Sequence, residues 1–111
     1  MSMKIKDKNM DWYKNKNVVI TGGSSGIGLS AATWLAKWGA SVCIIAVNQE
    51  RLAKAFGILE GNRQNPGQKF ISKSLDVSIR EEVFKVAKEV SKEWGVVDII
   101  INSAGITRPE Y

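Results

Sequence analysis

The chain has no histidine, a single cysteine and no long apolar run. Without histidine, and with Cys43 as its one thiol, it has too few ligands for a structural zinc site. The lone cysteine also excludes an internal disulfide and suits a reducing compartment, so a cytoplasmic location is expected. No window approaches the ~18 uninterrupted apolar residues of a membrane span, so no transmembrane segment is expected. The opening "MSMKIKDKNMDWYKNKN" carries lysines with no apolar run behind them, unlike a secretory signal. What remains is ordinary for a soluble globular domain: 111 residues, 44% apolar and 24% charged, enough for one core.

Charge is uneven. The net charge is +5, and the first seventeen residues hold five lysines against Asp7 and Asp11, a local excess of three. Such a run either marks a nucleic-acid or membrane surface, or is a solvated and frayed leader. The second is expected: residues 1–15 form a poorly ordered basic leader, residues 16–111 fold, and nucleic acid is not a partner.

The folded part alternates between two periodicities. "NVVIT" (17–21), "ASVCIIAV" (40–47), "KFISKSLDV" (69–77) and "VVDIIINSAG" (96–105) read as strands. Between them lie helical segments. In "SGIGLSAATWLAKWGA", Ile27, Ala31 and Leu35 recur every four residues beside Ala32 and Ala36, and Gly39 is the expected stop. "NQERLAKAFGILE" places Leu52, Ala55, Phe56 and Leu59 on one face and is weakened by Gly57. "SIREEVFKVAKEVSKEWG" opens with Ser78 and Glu81 in capping-box spacing and carries the stripe Val83, Val86, Ala87 and Val90. Trp94 is expected to cover the core edge, and "GNRQNPGQ" (61–68) is a loop.

The order is β-α-β-α-β-α-β. Strands joined by helical crossovers run parallel, and continuous apolar runs imply a sheet covered on both faces. The expected class is α/β, the front half of a Rossmann-type, doubly wound parallel sheet. In such a half sheet the first strand, normally central, is expected to expose an apolar edge.

"VVITGGSSGIG" (Val18–Gly28) has a strand delivering the chain directly to a helix start. The first N–H groups of a helix lack internal partners and carry the positive end of its dipole. A pyrophosphate uses both when no side chain blocks its approach, and Gly22, Gly26 and Gly28 keep the way clear. Ser24 and Ser25 add small hydroxyl donors. The bland alternative is a tight turn with a small-residue packing site at Gly28. No lysine follows the glycines, which disfavours a P-loop and NTP hydrolysis.

With Thr21 in front, the turn resembles the Thr-Gly-x-x-x-Gly-x-Gly motif of the short-chain dehydrogenase/reductase family. "LDVS" (75–78) and "NSAG" (102–105) agree in order and place, the family usually reading Asn-Asn-Ala-Gly where this chain has Ser103. The resemblance implies that Gly22, Ser24, Ser25, Gly26 and Ile27 line the pyrophosphate and adenosine ribose. It implies that Asp76 accepts from the adenine amino group with Val77 beside the ring, and that Asn102, Ala104 and Gly105 face the nicotinamide side. Asp76 also reads as a helix N-terminal charge, and "NSAG" as an ordinary strand-exit turn.

At the end of strand two, Ala46 stands where NAD-dependent relatives have Asp, and Val47 where many NADP-dependent ones have Arg. Arg51, one turn on, matches a position that is basic in some NADPH-dependent members; alternatively it lies on a solvated helix face. Glu50 is expected to point to solvent. NADP(H) is therefore favoured over NAD(H) as the dinucleotide partner. "NQERL", "NPGQ" and "NSAGITRPEY" further resemble bacterial relatives of 3-ketodihydrosphingosine reductases, implying a carbonyl or alcohol substrate of 3-ketosphinganine type.

Family catalysis resembles a Ser/Tyr/Lys arrangement with a Tyr-x-x-x-Lys signature. Tyr13 is followed four places later by Asn17, and Tyr111 is the last residue, so the pair is not in this chain. The chain is expected to be a truncated, cofactor-binding fragment of a longer, homo-oligomeric reductase, inactive alone. The other reading is a nucleotide-binding or interaction module without redox chemistry.

Overall fold

A computed structural model describes residues 11–22, 24, 26–75 and 80–103. The most apolar runs are the central strands. Asn17–Thr21 (β1) and Ser41–Ala46 (β2) are buried along nearly their whole length, whereas Phe70–Ser74 (β3) and Ile99–Asn102 (β4) alternate. The sheet order is β3-β2-β1-β4 and every pairing is parallel. The expectation that β1 exposes an edge is therefore overturned: β4 returns on the far side of β1, so among the described residues the outer strands are β3 and β4.

Gly26–Lys37 (α1) and Gln49–Gly61 (α2) cover one face of the sheet, and Arg80–Trp94 (α3) covers the other. Period-two geometry sorts the strand residues between them. Val18, Ile20, Val42, Ile44 and Phe70 meet Ala32, Leu35 and Ala36 of α1 and Leu52, Ala55 and Leu59 of α2. Val19, Cys43 and Ile45 meet Val86 and Val90 of α3, with Trp94 closing that core at its rim as expected. No helix among the described residues is long and apolar enough to cross a membrane.

Several boundaries differ from expectation, each for a local reason. β2 stops at Ala46 because Val47 has left the sheet and is 65% exposed. Asn48 precedes α2 as its N-cap rather than its first residue, its Oδ1 accepting from Arg51 N at 2.9 Å. Ile27 does not join the buried stripe of α1, which runs through Gly28, Ala32, Leu35 and Ala36. Residues 11–15, read as leader, are structured: Asp11–Tyr13 form a 3-10 helix, and Tyr13 packs on the core. The capping box at Ser78 lies outside the described residues.

The stop at Gly39 takes a form the sequence suggests. Gly39 has φ +92°, its N–H donates to Ala36 O (3.1 Å), and Ala40 N–H donates to Leu35 O (3.0 Å). That pair of bonds is a Schellman motif, which satisfies carbonyls the helix itself cannot. Gln68, at the end of the expected loop, is buried and its Nε2 donates to Ala36 O and Ala40 O at 2.9 and 2.7 Å. Its Oε1 accepts from Gln64 N and Asn65 N. One amide thus fastens the loop to the end of α1.

Gly57 lies in the exposed middle of α2, with no atom within 4 Å of where a Cβ would sit. Gly57→Ala is expected to raise stability by about 0.8 kcal/mol, read from urea or thermal unfolding. Cys43 is the opposite case. Burial pushes its thiol up to about 12, against a lowering by Lys73 and a further raising by Glu93. Thiol reagents at pH 8 are therefore expected to label it only as fast as the chain unfolds; rapid labelling of the folded chain would contradict its burial. The linked stability is complete below pH 9, the free thiol's range, and is lost as pH rises towards 12, because only the unfolded chain ionises there.

Candidate functional site

β1 lies between β2, reached through α1 on one face of the sheet, and β4, reached through α3 on the other. The carboxyl ends of β1 and β4 are therefore the topological switch point of a doubly wound sheet, where ligand crevices form in such folds. Thr21 and Asn102 are in register there. Thr21 Oγ1 donates to Asn102 Oδ1 at 2.7 Å, and Ser103 closes the floor, its hydroxyl and its N–H both donating to Thr21 O at 2.5 and 3.2 Å. Thr21 and Ser103 are buried, while Asn102 is exposed. Gly22 N–H crosses to β2, donating to Ile45 O at 2.7 Å.

The glycines of the turn divide into two kinds. Gly22 and Gly26 have φ of +73° and +59°, the left-handed region that side chains disfavour. Among the described residues nothing lies within 4 Å of a would-be Cβ on Gly26, so its missing side chain leaves open space there. Ile27, beside it, is 56% exposed, the position of a residue that lines a crevice rather than fills a core. Gly28 points the other way. A Cβ there would run into the Gly22 carbonyl and come within 2.5 Å of Ser103 Oγ. It is the small-residue packing site under the turn, letting α1 press against the ends of β1 and β4.

Electrostatics at this helix start favour an anion. The first turn of α1 holds no acidic residue, whereas α2 begins with Glu50 and α3 with Glu81 and Glu82. A carboxylate at a helix N-terminus partly answers its dipole, and α1 has none in its first turn.

Of the expected site residues, the structure gathers Gly22, Ser24, Gly26, Ile27, Gly28 and Asn102 at this crevice. Arg51 stands apart, exposed in the first turn of α2 just beyond the end of β2, and Glu50 beside it is also exposed. Ser74 Oγ donates to Val47 O at 2.9 Å, tying the ends of β2 and β3 together along the same edge. Ser25, Asp76, Val77, Ala104 and Gly105 lie outside the described residues. The Thr21–Asn102 bond and the Ser103 hydroxyl also belong to this region, beyond the residues that the sequence motifs single out. The signal for them was present, since both motifs end strands that topology makes neighbours.

Comparison with known proteins decides the family: a short chain dehydrogenase profile matches residues 16–111. The chain belongs to the short chain dehydrogenase family. An uncharacterized oxidoreductase of Staphylococcus saprophyticus is 36% identical over 93 residues, 84% of this chain and 38% of the relative. The structure of L-sorbose reductase from Gluconobacter frateurii, complexed with NADPH and L-sorbose, superposes with a TM-score of 0.70. It is 34% identical, covering 83% of this chain and 34% of that one. NAD+-bound xylitol dehydrogenase gives a TM-score of 0.70 at 27% identity, over 79% of this chain and 32% of that one. The chain spans about a third of the length of such relatives. Its parallel sheet with alternating helices is the Rossmann fold of these short chain dehydrogenases.

Proposed function

We propose that this chain is the cofactor-holding part of an NAD(P)-dependent short chain reductase, binding the dinucleotide at the carboxyl ends of β1 and β4. The observation that carries this reading is the space above Gly26, clear of every described residue, at the start of α1 and at the switch point of the sheet. The residues fit the group: left-handed Gly22 and Gly26, which bring no side chain to the turn, a helix start without a carboxylate, and an exposed Ile27 at the mouth. Gly22, Ser24, Ser25, Gly26 and Ile27 hold the pyrophosphate and ribose; Gly28 acts from beneath by letting α1 approach. Asp76 and Val77 receive the adenine. With its Oδ1 taken by Thr21, Asn102 has its amide nitrogen left to donate on the nicotinamide side, together with the backbone of Ala104 and Gly105.

The bound nicotinamide supplies a hydride acceptor or donor. The whole protein then interconverts a carbonyl and an alcohol, the "NSAGITRPEY" resemblance supporting a 3-ketosphinganine-type ketone. The Tyr-x-x-x-Lys pair belongs to the remainder of a longer, homo-oligomeric, cytoplasmic chain. A module without redox chemistry has less support, because the family match extends from residue 16 to residue 111.

Among cofactors we favour NADP(H). Ala46 and Val47 offer neither the carboxylate that engages a free ribose hydroxyl nor the arginine that takes a 2′-phosphate, and the exposed Arg51 is a cation at that edge. Arg51→Glu is expected to weaken NADPH about tenfold and leave NADH within about twofold, measured by fluorescence titration. Equal effects on both would remove Arg51 from the site.

A further inference from the structure

The amino-terminal edge of the sheet, opposite the crevice, carries a surface that cofactor binding does not use. Trp12, Tyr13, Trp38 and Trp34 form a continuous row, with ring centroids 5.1, 5.2 and 5.7 Å apart in that order. The two middle rings pack on the core, while the end rings, Trp12 and Trp34, are 55% and 50% exposed. A lysine lies over each exposed ring: Lys16 Nζ is 4.6 Å from the Trp12 centroid, and Lys37 Nζ is 4.5 Å from that of Trp34.

This surface is built rather than incidental. Asn15 N–H donates to Gly39 O and Ser41 N–H to Lys16 O, fixing the 11–16 segment against the end of α1. Gly39 has no side chain, and the stem of Lys14 lies 3.2 Å from where a Cβ would be. Lys14 thereby adds a third cation. Of the carboxylates that topology brings to the same edge, Glu60 pairs with Arg63 at 2.9 Å and Asp98 accepts from Asn17 N–H at 2.8 Å, while Asp11 beside Trp12 and Glu93 at the end of α3 offset part of the lysine charge.

We propose that this edge docks on an anionic lipid surface. Indole rings prefer the boundary between headgroups and acyl chains, and lysines beside them meet lipid phosphates and carboxylates; the two residue types together give the selectivity for charged membranes. A protein partner of opposite charge would satisfy the lysines but would not need two half-exposed indoles flanking a half-buried pair. Docking by this edge turns the β1–β4 crevice away from the membrane, so the cofactor site stays open to solvent.

Flotation of the chain with vesicles tests this. Vesicles with about 30 mol % phosphatidylserine in phosphatidylcholine are expected to bind it roughly tenfold or more better than phosphatidylcholine alone, with a blue shift in tryptophan emission. Trp12→Ala combined with Trp34→Ala is expected to lower that binding about tenfold, with circular dichroism unchanged because both rings are half in water. Should the double variant fail to fold, brominated acyl chains provide the readout in the unaltered protein: quenching of its emission supports docking, and its absence overturns it. Equal binding to neutral vesicles, or full binding after loss of both indoles, overturns the proposal. So does binding of single-stranded DNA that is at least as tight and equally dependent on the two tryptophans.

Discussion

Gly28→Ala is expected to destabilise the fold by about 3 kcal/mol, although alanine is the better helix former by about 1 kcal/mol. The added methyl meets backbone, the Gly22 carbonyl, and a second fixed group, Ser103 Oγ, whose hydrogen bond to Thr21 O it would displace. Neither neighbour is the free end of a flexible side chain, so α1 must move away from β1 and β4. Gly57→Ala provides the internal control, since the same methyl at that site meets nothing. Opposite signs for the two variants in one set of urea melts are the expected result. A neutral Gly28→Ala would mean that α1 does not press against the strand ends as described.

Gly26 separates ligand from fold. Gly26→Val is expected to reduce dinucleotide affinity by more than about a hundredfold, because its branched side chain enters the open space assigned to pyrophosphate. Valine at φ +59° also strains the backbone by roughly 1–2 kcal/mol. Gly26→Asn removes that ambiguity, as asparagine accepts the left-handed region far better. It is expected to melt close to the unaltered chain yet bind NADPH and NADH at least tenfold more weakly. Unchanged affinity in a folded Gly26→Asn chain would sink the phosphate assignment.

Much of this arrangement is legible in the residues. Local chemistry marks β1, β2 and the three helices plainly: continuous β-branched runs for strands buried on both faces, and the stripe Val86, Ala87, Val90 for α3. Strand order is a different matter. Nothing within "VVDIIINSAG" states that it lies beside β1 rather than outside β3, because order is decided by how crossovers pack across the whole sheet. The expected exposed edge on β1 fails for that reason. Ile27 misled in a similar way. Its spacing fits the apolar stripe, but at a helix start the turn before it sets which side faces the core. The distinct duties of Gly26 and Gly28 are likewise invisible in sequence, where both are simply glycines. One faces open space and the other a carbonyl oxygen, and only the approach of α1 to β4 separates them.

The most direct test is where the dinucleotide binds. Amide shifts of the isotope-labelled chain, followed during titration with NADPH and then NADH, locate it. The expected response is concentrated at Gly22, Gly26, Ile27 and Asn102, with Lys16 and Trp38 at the opposite edge unmoved. Shifts centred on that opposite edge, or a saturating response that bypasses the Gly22–Gly28 turn, would contradict it.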